Sequence, residues 1–586
     1  MKVFLQHKWV IFSLICGLII VALLRVIATY NVFWQTWDEP AHIAAGMEWL
    51  DQGQYTYELF HPPLARVMTA LGPYIQGLRS FSSPDMWQEG NAILHTNATY
   101  EQNLTWARLG TLPFLIVAAV TVGCWASRCG GQLGAIAAVL LFTTLPTVLG
   151  HAGLATLDMA AAALTTLALF AVVLWLAKPN LWRSLLLGIA AGLATLTKFS
   201  ALGFIVLGAG LMILVHSYGQ WQQARTGVKS TNKLPTVQRL RQGIGQLIQV
   251  VWQRRGAIAL IFLLGAITIW AGYRFSFEPI LTARDIDPEK IEALLGEGGG
   301  IKAQVFGLLR NVPVPAPEFL IGLAQFLRRN GSGQPGYLLG DLQTHGWWYF
   351  YLVLLPLKTP LAFWFLSALS LGLVGYTLTH RPQGWEERDR QILLPLVAAI
   401  GIVALASLGS VHNGLRQILA VYPLLAIVAG AGIARVMALK QPLRKIGSGA
   451  AIALLTWQVV ASAYAYPDYL TYFNELVQQH PSEIMVESDV DWGQDLKRLV
   501  ATLKERNIDN LALIYNGSNG LSLEQFDLPS TQPLIPYEPT TGWVAISVRN
   551  LEIGTGEVPF DQFSWLQNYQ PIEEIGNSIF LYYIEP

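Results

Sequence analysis

The sequence predicts a polytopic α-helical membrane protein with a small α/β domain at its C-terminal end. Of its 586 residues, 53% are hydrophobic and only 13% are charged, whereas soluble domains carry about a quarter charged residues. Apolar runs long enough to span a bilayer recur through residues 1–464. The remainder, 465–586, is different in kind, because it combines 18 Asp and Glu with 5 Lys and Arg and has short strand-like runs.

Charge and cysteine content exclude several other classes of protein. The 38 Lys and Arg balance the 38 Asp and Glu, so no strongly basic face is available for a nucleic acid. The three cysteines, Cys16, Cys124 and Cys129, form no CxxC pair, and neither a disulfide framework nor a zinc site is indicated.

The apolar runs predict about eleven transmembrane helices. The run 185–216 is too long for one span and is divided at Lys198 into two shorter helices. The first run follows Lys2 and Lys8; we interpret it as a retained anchor, with a signal peptide as the alternative. Besides the two helices from 185–216, nine spans are predicted, counting the first run. They lie near residues 10–30, 107–127, 131–150, 155–177, 257–273, 360–378, 391–409, 416–437 and 446–464.

The distribution of charge predicts the orientation of these helices. The first loop, 31–106, holds eight acidic and two basic residues, whereas 217–255 holds seven basic residues and no acid. This asymmetry places 31–106 outside and 217–255 in the cytoplasm, where its helical apolar spacing predicts a basic amphipathic segment on the inner leaflet. An odd number of spans from a cytoplasmic N-terminus puts the tail, 465–586, outside as well.

The tail is predicted to fold as a small α/β domain. An amphipathic helix is expected over Asp491–Arg506, and strands over Leu511–Tyr515, Trp543–Val548 and Ser578–Ile584. Its excess of acids is interpreted as solvated surface.

Two adjacent carboxylates, Asp38 and Glu39, follow the first span among tryptophans. Partial burial and like-charge crowding would suit one of them to act as a general base. The alternative is that these acids, followed by Pro40, simply cap a helix and favour its dipole.

A set of short motifs resembles the polyprenyl-phosphate-dependent glycosyltransferases of the GT-C fold, in particular protein O-mannosyltransferases and the aminoarabinose transferase type. The motifs occur in the family's order over roughly the first 465 residues. They are Asp38-Glu39, His61-Pro62-Pro63 with Arg66, Arg108–Pro113, Ala155–Asp158, Gly192–Lys198, Leu357–Pro360 and Leu415-Arg416 before Tyr422-Pro423.

The resemblance implies a GT-C enzyme that transfers a sugar from a polyprenyl-phosphate carrier, with inversion, to an acceptor outside the cytoplasm. Asp38 would be the base and Glu39 would tune it or bind the acceptor. Candidate contacts to the carrier phosphate or substrate are His61, Arg66, Asp158, Lys198, Lys358 and Arg416. Arg66 and Lys358 could instead snorkel to a membrane interface without contacting the substrate. Asp158 could instead cap the helix that it begins.

The resemblance also sets expectations for partners and location. Residues 274–345 are too short for the β-trefoil domain of eukaryotic protein mannosyltransferases, so the acceptor stays open between a glycan, a lipid and a protein. No cofactor or protein-held metal is expected, although a divalent metal stays open. We expect a cell-envelope enzyme of the bacterial inner membrane. The alternatives are a transporter or flippase of a lipid-linked sugar, and a scaffold with a degenerate enzyme core.

Overall fold

The computed structural model describes residues 8–227, 254–280, 310–380, 387–477, 481–518, 528–556 and 558–586. Most of the predicted basic segment 217–255 lies outside these residues. The α-helices of the membrane part and its loops are α1 (Lys8–Ile27), α2 (Glu39–Met47), α3 (Pro63–Ile75), α4 (Met86–Leu94), α5 (Tyr100–Leu109), α6 (Leu112–Thr143), α7 (Pro146–Ala152), α8 (Asp158–Ala177), α9 (Leu181–Thr195), α10 (Phe199–Gly227), α11 (Arg255–Gly272), α12 (Pro317–Ser332), α13 (Phe350–Leu357), α14 (Leu361–His380), α15 (Glu387–Ala406), α16 (Val421–Met437) and α17 (Leu443–Tyr464).

The chain is a polytopic membrane protein. Among the described residues, six helical runs are long and apolar enough to cross a membrane, or seven if the bent α13–α14 pair is counted as one span. Three shorter apolar helices lie at Leu181–Thr195, Arg390–Ala406 and Val421–Met437. The expected number of eleven spans stays a prediction.

Local sequence explains where the helices break. Gly131 has a φ of 64° and interrupts α6, so the predicted spans 107–127 and 131–150 fall largely on one broken helix. Pro360 follows α13, and α13 and α14 meet at 109°, because proline disfavours helical backbone at the residue before it. Lys198 separates α9 from α10, as its position in the apolar run predicted.

Burial distinguishes a central span from peripheral ones. In α8, 83% of the apolar window is buried inside the protein, whereas in α11 the corresponding share is 0%. Close helix contacts depend on glycine, since a Cβ at Gly430 of α16 would lie 2.6 Å from the backbone nitrogen of Ala138 in α6. Asp158 therefore begins the helix that is most enclosed among these spans.

The first loop folds into a compact layer of helices α2 to α5. Gly46 of α2 lies against the backbone of Arg66 in α3, and Gly90 of α4 lies against Pro40, where an added Cβ would be 2.0 Å from a carbonyl oxygen in each case. This packing fixes the start of α2, and with it Asp38, relative to α3 and its Arg66.

The tail contains a mixed five-stranded sheet. The tail elements are α18 (Pro481–Ile484), α19 (Leu496–Glu505), β5 (Asn510–Ile514), β6 (Ser530–Pro533), β7 (Gly542–Ser547), α20 (Val548–Ile553), β8 (Glu573–Ile575) and β9 (Ile579–Ile584). The strand order is β6-β5-β7-β9-β8, in which β5 is parallel to β6 and β7, while β9 is antiparallel to β7 and β8. The predicted helix, α19, begins five residues later than expected, because Asp491–Asp495 forms a loop. Two short antiparallel pairs lie elsewhere: β1 (Phe277–Pro279) with β2 (Pro313–Pro315), and β3 (Gly336–Leu338) with β4 (Asp341–Gln343).

Candidate active site

A cavity of about 1020 Å³ collects residues from both ends of the chain. It lies where the first-loop helices, the starts of α8 and α10, the segment before α16 and the tail meet. Six of the eight predicted site residues line it: Asp38, His61, Arg66, Asp158, Lys198 and Arg416. Glu39 and Lys358 are not among its lining residues.

Asp38 is held by an arginine rather than by a helix terminus. It occupies the N-cap position of α2, but its side chain makes no capping hydrogen bond. Instead, Arg416 Nη1 donates to Asp38 Oδ2 at 2.9 Å. The Asp38 side chain is 27% exposed. A partly exposed carboxylate in a cavity can accept a proton from a bound group. The Asp38 side chain does not cap α2, which was the alternative.

Asp158 links the two cations that the sequence placed at helix ends. Lys198 Nζ donates to Asp158 Oδ1 at 2.8 Å, and Arg416 Nη1 lies 3.9 Å from Asp158 Oδ2. Asp158 is the first residue of α8, whose N-cap position is held by Leu157, and its carboxylate is engaged by Lys198. The result is a row of alternating charges: Asp38, Arg416, Asp158 and Lys198.

A second polar cluster lies around Arg66 on α3. The guanidinium is fully buried, so it does not snorkel at an interface. It forms an ion pair with Glu58 and donates to His42 Nδ1 at 3.2 Å. His61 Nδ1 lies 2.8 Å from Glu58 Oε2.

The charges of this cluster are set by burial and by each other. Burial would raise the pKa of Glu58, but Arg66 and His61 outweigh it and hold that pKa below its ordinary value. Burial, with Arg66 adding to it, lowers the pKa of His42 well below its usual value. His42 is therefore a neutral cavity residue at pH 7, and the sequence did not single it out.

Glu39 has a structural place beside the cavity. It is fully buried, and its two oxygens accept from Arg108 Nε at 2.8 Å and Arg108 Nη2 at 2.9 Å. They also accept from the backbone nitrogens of Thr36 and Ala155, both at 2.8 Å. Arg108 thus neutralises Glu39, which joins the loop before α2 to the loop before α8 and so connects Asp38 with Asp158.

Lys358 supports the Arg416 loop instead of lining the cavity. Its ammonium is fully buried and donates to the carbonyl oxygens of Leu470 at 2.7 Å and Asp489 at 2.9 Å. The Asp489 carboxylate in turn accepts from the backbone nitrogen of Leu415 at 2.5 Å. Gly414 allows this approach, since it has a φ of 103° and a Cβ there would lie 2.6 Å from Asp489 Oδ2.

The tail contributes a part of the site that the sequence interpretation missed. Its buried acids are Glu487, Asp489, Asp491 and Asp495, so the interpretation of the tail acids as solvated surface is wrong for these four. A local pattern in the sequence could have indicated this burial, because Asp489 and Asp491 alternate with Val490 and Trp492 and have no basic neighbour. The tail residues that line the cavity are Glu487, Ser488, Asp491, Trp492, Asn516, Arg549, Thr555 and Gly556.

Burial shifts the pKa of two of these carboxyls. It raises the pKa of Asp491 to about 6, against the opposing hydrogen bonds from the backbone nitrogens of Arg549 and Gly493. Burial likewise raises the pKa of Asp495 to about 7, with Arg498 and the Ser578 hydroxyl opposing and with Asp468 and Asp491 adding to it.

A metal site was not expected from the sequence. In the part of the chain that the structure describes, no group of three or more His, Cys, Asp or Glu side chains is placed to hold a metal ion.

Several solved structures are similar to this one at low sequence identity. One is ArnT from Cupriavidus metallidurans bound to undecaprenyl phosphate, with 13% identity, a TM-score of 0.48 and 97% coverage of each chain. Another is the archaeal oligosaccharyltransferase AglB from Archaeoglobus fulgidus in complex with an inhibitory peptide and a dolichol-phosphate, with 14% identity and a TM-score of 0.43. That match covers 78% of this chain and 57% of AglB. No family model and no curated protein matches the sequence.

Proposed function

We propose that this protein transfers a sugar from a polyprenyl-phosphate carrier to an acceptor at the extracytoplasmic face of its membrane. The observation that supports this most is the row of charges in the cavity. It places an accessible carboxylate, Asp38, 2.9 Å from the Arg416 guanidinium. A second cation, Lys198, joins the row through Asp158, to which it donates at 2.8 Å.

This arrangement suits a single displacement at the anomeric carbon. Asp38 accepts the proton of the acceptor hydroxyl while the oxygen of that hydroxyl bonds to the anomeric carbon. The bond between the carbon and the phosphate oxygen breaks, its electron pair stays on the phosphate, and the configuration inverts. Arg416 and Lys198 stabilise the leaving phosphate, whose charge needs no protonating acid.

The carrier lipid has an apolar wall available in the same cavity. Side chains of α10, α12 and the end of α15 form it, and several are exposed, including Val206 at 65%, Leu327 at 62% and Leu408 at 82%. An exposed apolar surface that continues into a charged pocket suits an amphiphile with a phosphate head.

The orientation rests on charge. The acidic first loop and the tail, which together line the cavity, lie on one side under the positive-inside rule. The cavity is therefore proposed to face the extracytoplasmic side of a bacterial inner membrane, where the enzyme would act in the cell envelope.

Proteoliposomes that contain the purified protein, a labelled polyprenyl-phosphate sugar and host membrane extract as the source of acceptor test this function. We expect time-dependent release of free polyprenyl phosphate as the label moves to the acceptor. Asp38→Asn should slow this release about 10²–10⁴-fold, whereas Asp341→Asn, which changes an exposed acid of β4 outside the cavity lining, should leave it unaffected. A flippase would instead move the intact donor across the bilayer. Transbilayer movement without cleavage would overturn the proposal.

A further inference from the structure

The tail forms a wall of the cavity that differs from the apolar wall. Its loop 487–492 brings two carboxylates, Glu487 and Asp491, and α20 adds the Arg549 guanidinium. Asn516 follows β5 and completes the wall with an amide. Asp491 accepts from the backbone nitrogens of Gly493 and Arg549, and the Asn516 amide donates to the Asp491 carbonyl oxygen. Neither the row of charges around Arg416 nor the wall for the carrier lipid accounts for Glu487 and Arg549.

Backbone hydrogen bonds tie this wall to the segment that carries the proposed base. The nitrogen of Trp37 donates to the oxygen of Trp492 at 2.9 Å, and the nitrogen of Trp34 donates to the oxygen of Gln494 at 2.9 Å. The Arg416 guanidinium also lies over the Trp492 ring, 4.2 Å from its centroid. The tail wall therefore has a fixed position relative to Asp38.

Three buried polar atoms of the cavity lining lack a hydrogen-bond partner among the described residues: Glu487 Oε1, Trp87 Nε1 and Ser200 Oγ. Glu487 is 7% exposed and its Oε1 has no partner, while its Oε2 lies 3.7 Å from Arg549 Nε. Trp87 of α4 also lines the cavity, and its buried Nε1 is unpartnered. The Glu487 oxygen is an acceptor, the Trp87 nitrogen is a donor, and the Ser200 hydroxyl can be either. Buried polar groups are normally paired, so these atoms are open to a ligand in the cavity that both donates and accepts hydrogen bonds.

The charged groups of the tail wall indicate which chemical class of ligand would bind there. Glu487 and Asp491 set two carboxyls against one guanidinium, Arg549. The tail residues alone therefore suit a phosphate or another anion less well than the cations Arg416 and Lys198 of the charge row do. Hydroxyl groups suit the tail wall, because each can donate to a carboxylate oxygen and accept from a guanidinium or an indole nitrogen.

From this geometry we infer that the tail wall binds the acceptor, and that the acceptor is a neutral polyhydroxylated headgroup, as in a glycolipid or a free glycan. This inference rests on the proposed function, since it names the acceptor class of the same reaction. It assigns Glu487 and Arg549 to acceptor binding, and it gives the C-terminal domain a direct part in specificity.

The test separates acceptor binding from use of the donor. Purified protein receives labelled polyprenyl-phosphate sugars extracted from host membranes. The acceptor is the neutral glycolipid fraction, the anionic phospholipid fraction or the protein fraction of those membranes, or maltose as a soluble glycan. We expect transfer to the neutral glycolipids, or to maltose if the source is a free glycan.

Variants then locate the binding site. Glu487→Gln and Arg549→Met should each raise the KM for the accepted neutral probe about ten- to a hundredfold. The KM for the donor should change much less than the KM for the acceptor in both variants. Glu574→Gln, an exposed acid of the tail, is the matched control, and unfolding temperatures show that each variant is folded.

The results distinguish the two proposals. Transfer only to anionic phospholipids or proteins, or an unchanged acceptor KM in both folded variants, would overturn the acceptor inference while the transferase function stands. A wild-type protein that neither transfers nor hydrolyses any donor would overturn the proposed function itself.

Discussion

The buried pair of Glu39 and Arg108 allows stability to be separated from catalysis. Oε1 of Glu39 accepts from Arg108 Nε and the Ala155 nitrogen, and Oε2 accepts from Arg108 Nη2 and the Thr36 nitrogen. In Glu39→Gln, one of these positions becomes an amide NH₂ that faces two donors. Whichever way the amide turns, two hydrogen bonds are lost, one of them charge-assisted.

The expected cost follows from burial. Glu39 is 0% exposed and Arg108 is 1% exposed, so Glu39→Gln leaves a guanidinium without its counter-charge inside the protein. Breaking one side of a buried pair costs about 3–5 kcal/mol. Asp38→Asn next to it changes a carboxylate that is 27% exposed. Arg416 keeps Asp158 as a second counter-charge at 3.9 Å, so the cost of this variant should be smaller.

Thermal unfolding of the detergent-solubilised protein, followed by tryptophan fluorescence, measures both variants. We expect a clearly lowered unfolding temperature for Glu39→Gln and a nearly unchanged one for Asp38→Asn. Turnover should show the reverse order once it is corrected for the folded fraction. A Glu39→Gln variant that unfolds like the wild type but has lost turnover would refute the structural role of Glu39 and assign it to the chemistry.

Three further predictions concern the donor, the topology and pH. Lys198→Met and Arg416→Met should each weaken donor binding about ten- to a hundredfold, measured by titration with polyprenyl-phosphate sugar; unchanged affinity in both would place the phosphate elsewhere. In a variant without its native cysteines, an impermeant thiol reagent added to outer-membrane-permeabilised cells should label Ser530→Cys in the tail but not Lys178→Cys; the reverse would invert the orientation. The pKa of Asp495, about 7 when folded, exceeds its ordinary value near 3.9. The folded state therefore binds the extra proton, and thermal stability should fall as the pH rises from 5 to 8. Asp495→Asn should flatten that dependence, and an equal slope in the variant would contradict it.

The sequence predicted the parts of the site that interrupt an apolar pattern. Lys198 and Arg416 could be singled out because charges at the ends of spans are costly unless they serve a function, and both line the cavity. Asp38 could be predicted from its place after the first span. Its partner could not, because Arg416 lies 378 positions later and no local spacing reports such a contact.

The direction of a side chain was the information that the sequence lacked. Adjacent residues of one motif, Asp38 and Glu39, point to different partners, and Lys358 turns away from the cavity toward Asp489. The tail wall was missed for a related reason. Excess acid normally indicates solvated surface, and only the fold shows that Glu487 and Asp491 are enclosed.

A single-turnover measurement on Asp38→Asn tests the central claim most directly. Excess purified enzyme is mixed with labelled polyprenyl-phosphate sugar and acceptor membranes, and cleavage of the donor is followed after donor binding has been measured separately. Asn keeps the shape of Asp38 but cannot accept the proton, so the cleavage rate should fall by about 10²–10⁴-fold while donor affinity largely survives. A folded Asp38→Asn variant that cleaves the donor at nearly the wild-type rate would contradict the assignment of Asp38 as the base.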